Sequence, residues 1–192
     1  MNFTIISRSF YERSTTQVAS DLVGCCIVRV INDQILVGEI IETEAYQGAD
    51  DPASHAFRGK TTRNIPMFGL CGMSYVYFIY GMHFCLNVIA KDKNQAAGAV
   101  LIRSIKPLEG SAFMREMRGW AVKEKDLTNG PAKLTQALCI DKELNSIDVT
   151  KKGALFCAYG QNKKRKIIET SRIGLREGKE FLWRFRVNNE GY

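Results

Sequence analysis

The chain has 192 residues, 45% of them hydrophobic, enough for one domain or two small ones with a sizeable core. Lysine and arginine number 27 against 20 acids, a formal charge of +7 with a pI near 9.1; this excess suits an anionic partner, a nucleic acid or an acidic membrane surface, and equally fits a merely basic enzyme. Six cysteines without a CxxC, only two histidines and no apolar run of spanning length argue against a zinc site and a transmembrane helix.

Residues 1–20 lack the basic-then-apolar layout of a signal peptide. The cysteines in "VGCCIV" and "HFCLNV" read as reduced, small hydrophobes of a cytosolic protein. A helix is expected near 14–22, capped by Ser14, Thr15 or Thr16, with Val18 and Leu22 on one face. "GCCIVRVI" reads as a strand, "NDQ" as a turn and "ILVGEIIETEAYQG" as the returning strand of a hairpin. In "ADDPASHAFRG", Asp51 suits the cap of a short helical turn with Pro52 at its first position, which sets His55 about one turn in. "KTTRNIPMFGLCGMS" is loop, and "YVYFIY", "GM" and "HFCLNVIA" form a second hairpin. "AGAVLIRSI" is a strand, and Pro107 is expected to open a helix through about Arg118. After the polar connection "VKEKDLTNG", Pro131 starts another helix in "GPAKLTQALCI". "GALFCAY" reads as a short strand and "NKKRK" as a basic turn. "FLWRFRV", where Leu182, Arg184 and Arg186 alternate with large apolar residues, reads as a half-exposed strand. No repeat or linker interrupts this order, which describes one mixed α+β domain, residues 1–192, around an antiparallel sheet.

Two stretches carry chemistry. An extended "IIETEAY" puts Glu42, Glu44 and Tyr46 on one face and Ile41, Thr43 and Ala45 on the other. Two carboxylates and a phenol projecting together suit acid–base work, and an ordinary solvated strand face has the same composition. In "YVYFIYGMHFCLN", Tyr75, Tyr77 and Ile79 face one way, and Val76, Phe78 and Tyr80 the other. Gly81 permits a tight turn with Tyr80 and Met82 near its tip, while Cys85 and Asn87 share a face. Tyrosines of a core, with hydroxyls bonded locally, would look similar. However, an amide among Leu86, Val88 and Ile89 has to find partners, and an exposed aromatic at a hairpin tip suits a wedge for a DNA minor groove.

The blocks "ETEAYQGADDPASHAFRGKTTRN", "YVYFIYGMHFCLN", "AVLIRSIKPLEG" and "NGPAKLTQAL" follow one another in this order. From about Phe10 to about Val187 the chain resembles the alkylpurine (3-methyladenine) DNA glycosylase family of the mammalian alkyladenine type. The resemblance implies a mixed domain with a curved antiparallel sheet, flanking helices and a protruding hairpin. It also implies hydrolysis of the N-glycosidic bond of damaged purines flipped out of a duplex. Carried over residue by residue, it gives Glu44 as the general base and Tyr46 and Tyr77 as base-stacking aromatics. It gives His55 as the purine-facing histidine and Asn87 as the amide that screens purine edges. Tyr80 becomes the minor-groove wedge, with Met82 beside it, and Arg103 lies near the lesion's phosphate and water. Thr62 stands where many members have proline, and "GLCGMS" replaces a more proline-rich stretch; both put the shape of that loop in question.

The expected reaction needs no metal or organic cofactor and leaves an abasic site, since no residue is required as an amine nucleophile. The partner is double-stranded DNA containing damaged purines, with no membrane, and the chain is expected to act as a monomer. Arg63 and Lys133, the latter in a helix opening that suits phosphate, are candidate DNA contacts, along with Lys60, Lys106 and Arg115. Glu42 is read as structural. Such a protein belongs in the bacterial cytoplasm or the eukaryotic nucleus. A DNA-binding module without catalysis and a hydrolase of free nucleosides are the two rivals from other classes; the first has no use for the Glu44 carboxylate, the second none for Tyr80.

Overall fold

The structure, a computed structural model, describes residues 2–160 and 166–188. Two short helices, α1 (Arg8–Tyr11) and α2 (Thr15–Leu22), open it. Ser14 caps α2 by accepting the Gln17 N–H at 3.4 Å, and Val18, Ala19 and Leu22 bury the inner face. Strands β1 (Cys26–Ile31) and β2 (Gln34–Tyr46) form a hairpin whose turn residues, Asn32 and Asp33, both take positive φ. Asn and Asp tolerate that conformation better than other side chains.

The remaining elements are β3 (Ser74–Ile79), β4 (His83–Ile89), β5 (Ala99–Glu109), α3 (Ser111–Arg118), α4 (Pro131–Ala137), β6 (Leu155–Ala158), β7 (Ile167–Thr170) and β8 (Arg184–Val187). All strand pairings are antiparallel, in the order β3-β4-β5-β2-β1-β6, with β8 also paired to β2 and β7 to β8. The 13-residue β2 is the spine: β5 pairs along most of it, β1 with its first half and β8 with Glu42–Glu44. Register shifts against β5 at Val37/Gly38, Ile40/Glu42 and Glu42/Thr43 bend β2, and the sheet is strongly curled. Helices α2, α3 and α4 bury Leu22, Met114 and Leu134 in the main core, against Ile40 and Ile102 of the sheet. A smaller core, Ala56, Met67, Tyr75, Ile89, Ala97 and Ala99, lies at the far end of β3–β5 and supports Tyr46 and Tyr77. All six cysteines are free, five of them buried.

Three local expectations give way, wholly or in part, to tertiary structure. Pro107 does not open a helix: it lies inside β5, opposite Gly38 and beside a register shift, where its missing N–H costs the ladder little. The helix begins four residues later, after Gly110 in the left-handed region at φ 75. Asp51 does cap the turn after it, its carboxylate accepting the Ala53 N–H and its carbonyl the Ser54 N–H at 2.9 Å, but the chain continues as successive turns and not as helix, and the same carboxylate accepts the Gln47 N–H and is gripped by Arg172. The loop of residues 60–74 contains a 3-10 turn over Ile65–Phe68. Strand β7 and helix α1 have no counterpart in the sequence reading, and "FLWRFRV" is strand only over Arg184–Val187. Most of the basic turn "NKKRK" lies outside the described residues.

Candidate active site

The curl of the sheet brings the inward faces of β2, β3, β4 and β5 around one cavity of about 310 Å³. Tyr46, His55, Tyr75, Tyr77, Asn87 and Arg103 line it, Tyr80 stands at the hairpin side, and Ile173–Leu175 form a further wall. The two-residue strand period accounts for much of this lining: Tyr75, Tyr77 and Ile79 alternate with residues that face away, as do Cys85 and Asn87 across the hairpin.

Glu44 lies one layer behind this wall, with its side chain fully buried. Its Oε2 accepts from the Tyr46 hydroxyl at 2.7 Å and from Arg103 Nη1 at 3.2 Å, and its Oε1 accepts the Ile173 N–H at 2.7 Å. Arg103 also donates from Nε to Glu42 at 2.9 Å, and Glu42 receives Arg184 Nε at 2.6 Å. The three side chains of β2 therefore share one face and one network. Burial works against the Arg103 charge, but Glu44 and Glu42 outweigh it and hold its pKa above the usual guanidinium value. Burial first, then the neighbouring Glu44 carboxylate, raises the pKa of the Tyr46 phenol, so it is a firm donor.

His55 keeps more than a third of its surface accessible through the cavity. Its Nδ1 is 3.0 Å from the Tyr75 hydroxyl, and its ring meets Tyr77 edge-on with centroids 4.6 Å apart. Desolvation by these neighbours, then the Arg63 charge, lowers its pKa, which favours the neutral ring at pH 7. Asn87 is 3% exposed and donates to the Tyr75 carbonyl at 3.1 Å, which fixes its amide plane at the cavity wall. Met82 is exposed on the hairpin tip, apart from the cavity lining.

The basic candidates scatter. Arg63 donates to the Phe78 carbonyl at 3.1 Å, and its guanidinium sits over the Tyr77 ring at 5.2 Å. Lys133 is tied to Asn129 at 2.7 Å and Asp126 at 3.3 Å, although Pro131 at the start of its helix reaches the cavity. Lys60 leans toward Phe68, and Arg115 donates to the Val122 carbonyl. Lys106 borders a different cavity, with Lys125 and Asn129. Among the described residues, no three His, Cys, Asp or Glu side chains are grouped to hold a metal ion.

The sequence reading missed Arg172. Its side chain is fully buried and makes a bidentate ion pair with the fully buried Asp51, 2.7 Å at each contact. It also donates to the Ala45 carbonyl at 2.9 Å and packs its guanidinium on Tyr46, 4.7 Å from the ring centroid, and on Trp183. It thus backs one aromatic wall, while the next residue supplies the N–H that holds Glu44. The one hint in "SRIGLREGKE" is an arginine set beside an isoleucine and a glycine in an otherwise polar stretch.

Comparison with known proteins gives the family. Residues 9–191 match the family described as methylpurine-DNA glycosylase (MPG). A protein of Carboxydothermus hydrogenoformans named "Putative 3-methyladenine DNA glycosylase" is 45% identical over 189 residues, 98% of this chain and 97% of its own length. A protein of Clostridium tetani with the same name is 45% identical over 195 residues, 96% of each chain. No helix among the described residues is long and apolar enough to cross a membrane. Matched from near its start to its end, the chain belongs to the methylpurine-DNA glycosylase family and is a monofunctional DNA glycosylase, a hydrolase of N-glycosyl bonds.

Proposed function

We propose that this glycosylase flips alkylated or deaminated purines, of the 3-methyladenine, 7-methylguanine and hypoxanthine type, out of duplex DNA and hydrolyses their N-glycosidic bond with a water activated by Glu44. The observation that carries the proposal is the bonding of Glu44. Two carboxylate oxygens offer about four lone-pair directions. Three are taken by Tyr46, Arg103 and Ile173, which leaves one on Oε1 for a water. The carboxylate is thus locked in orientation, paired with Arg103, and still has one acceptor site to use.

In this mechanism the purine lies between Tyr46 and Tyr77, with His55 and Asn87 at its edges. Electron-rich phenol rings attract an alkylated, positively charged purine. Asn87 would meet the amino group of a guanine base and disfavour it by collision; ordinary guanine bears that penalty in full, whereas the cationic ring of 7-methylguanine, attracted by the phenols and already a good leaving group, offsets it. As the C1′–N9 bond breaks, the electron pair leaves with the purine, and the Glu44 charge steadies the oxocarbenium-like sugar. Water forms the new bond to C1′ and passes its proton to Glu44. A cationic purine departs neutral, whereas hypoxanthine needs a proton at the ring to leave as readily. Lys133 is held by Asn129 and Asp126, and no lysine among the described residues lines the cavity, which suits water as nucleophile and an abasic product.

Extracting the nucleotide costs a few kcal/mol, least for damaged or mispaired bases. Tyr80 suits the filling of the vacated stack. It is 85% exposed and takes φ 53, a left-handed conformation that costs a tyrosine about 1–2 kcal/mol and a glycine almost nothing. A large ring kept at a strained, exposed position points to a use outside the folded chain.

Glu44→Gln tests the proposal. On single-lesion duplexes it should lower single-turnover base release by about 10²–10⁴-fold while leaving lesion binding within about threefold of wild type. Binding and release falling together would mean that the carboxylate only holds the fold.

A further inference from the structure

Both aromatic walls of the slot are backed by an arginine, and the two arginines differ in charge balance. Arg172 sits 4.7 Å from the Tyr46 ring centroid, and Arg63 5.2 Å from that of Tyr77. Neither arginine is among the residues that line the cavity, while both tyrosines are, which fits each guanidinium on the ring face turned away from the slot. Around the slot the formal charges cancel in sets: Asp51 with Arg172, and Glu42 and Glu44 with Arg103 and Arg184. Arg63 has no carboxylate within 4.0 Å among the described residues; its polar contacts are the Phe78 carbonyl and the Tyr75 hydroxyl.

We propose that Arg63 sets how the slot discriminates lesions by charge, disfavouring positively charged purines relative to neutral ones. This rests on the base lying between Tyr46 and Tyr77. A tyrosine face attracts a cation through its ring electrons. A guanidinium already on the outer face draws on the same electrons, and its unbalanced charge repels a second cation across the ring. The slot then keeps enough affinity for cationic purines while its advantage over neutral purines is reduced. Burial first, and then the Arg63 charge, disfavour protonation of His55, which favours a neutral ring facing the base. The phenols of Tyr75 and Tyr77 stay protonated, both pushed up chiefly by burial. Arg172 lacks this effect, because Asp51 neutralises it at 2.7 Å.

The test measures single-turnover release of 7-methylguanine, which is cationic in DNA, and of hypoxanthine, which is neutral, from otherwise identical duplexes. Wild type, Arg63→Gln, Arg63→Lys and Arg63→Glu are compared. Arg63→Gln should raise the cationic-to-neutral rate ratio about three- to tenfold, as removing a partly screened charge at this range predicts. Arg63→Glu should raise it further, Arg63→Lys should keep it within about twofold of wild type, and the Gln effect should shrink with added salt. A phosphate ligand behaves differently: both rates fall by one factor, and the salt slope of binding becomes shallower. That result, or a ratio moving the other way, overturns the role assigned to Arg63 and leaves the proposed function standing. Wild-type protein that releases neither base overturns the proposed function, and this inference with it.

Discussion

Glu44 and Tyr80 sit in the same site in contrasting ways. Glu44 on β2 has a fully buried side chain, held at both oxygens by donors on Tyr46, Arg103 and Ile173, with one acceptor direction on Oε1 left for the proposed water. Tyr80, at the turn between β3 and β4, is 85% exposed, and Met82 and Phe78 nearby are 69% and 50% exposed. The first region is finished within the chain: its charges are paired, and its geometry is set before any substrate arrives, as electrostatic stabilisation of a transition state requires. The second is largely exposed apolar surface in which, among the described residues, Phe78 alone of the three is paired to another ring, Phe84 at 5.0 Å, as expected of a surface completed by a partner. One region holds its chemistry by satisfied bonds, the other by leaving contacts unmade. Substitutions should therefore act on turnover and stability in the first and on duplex recognition in the second.

The largest effect separating the regions is expected at Arg172. Arg172→Met keeps much of the volume but strands the Asp51 carboxylate in a fully buried position. Breaking a buried pair by removing one partner typically costs about 3–5 kcal/mol. Urea unfolding should show a loss of that order, and base release should fall as Tyr46 and the Ile173 N–H lose their support. Arg172→Met combined with Asp51→Asn should recover part of the stability, because no charge is then left unpaired. A single variant unfolding at the wild-type urea concentration would show that this wall is not built on its ion pair.

A smaller effect, of opposite sign on stability, is expected at the hairpin tip. Tyr80→Gly relieves the left-handed strain at φ 53 and should stabilise the protein by roughly 0.5–1 kcal/mol. Excision from duplex DNA should nevertheless fall by about tenfold or more, with less effect on a lesion in single-stranded DNA, where no stack has to be filled. Loss of stability together with activity would place Tyr80 with the buried wall and collapse the contrast.

The sequence made parts of both regions legible for a common reason: a two-residue period is local. The grouping of Glu42, Glu44 and Tyr46, of Tyr75, Tyr77 and Ile79, and of Cys85 and Asn87 follows from the alternation of an extended chain, and the curled sheet turns these groups toward one cavity. The tight turn at Tyr80 and Gly81 was legible from the glycine. Pro107 was misread because proline is at home both at a helix start and at a strand irregularity; the choice depends on Gly38, which lies far away in the chain. Arg172 left only its apolar neighbours as a hint, and its role could not be read from them. It meets Asp51 across 121 positions, and nothing in the spacing of either residue marks a partner. Sequence periodicity reports which side chains share a face, and leaves open which charges are neutralised once faces meet.

His55 lies between the two regions and gives the smallest expected effect. It stands after the turn that starts at Asp51 and meets Tyr75 and Tyr77 of the hairpin strand. Its pKa in the folded chain lies below the ordinary 6.5, through desolvation and then Arg63, while the unfolded chain keeps the ordinary value. As pH falls through 6.5, the unfolded state takes up a proton that the folded state refuses, so stability declines until the folded ring is also protonated. His55→Gln removes that term while keeping a polar group for the Tyr75 hydroxyl. Between pH 7.5 and 5.5, urea unfolding of wild type should therefore weaken more than that of the variant; the chain's other histidine, His83, is common to both and cancels. Equal slopes would mean that the cavity leaves His55 as free to charge as water does, and that the hairpin side of the slot lacks the preorganisation found around Glu44.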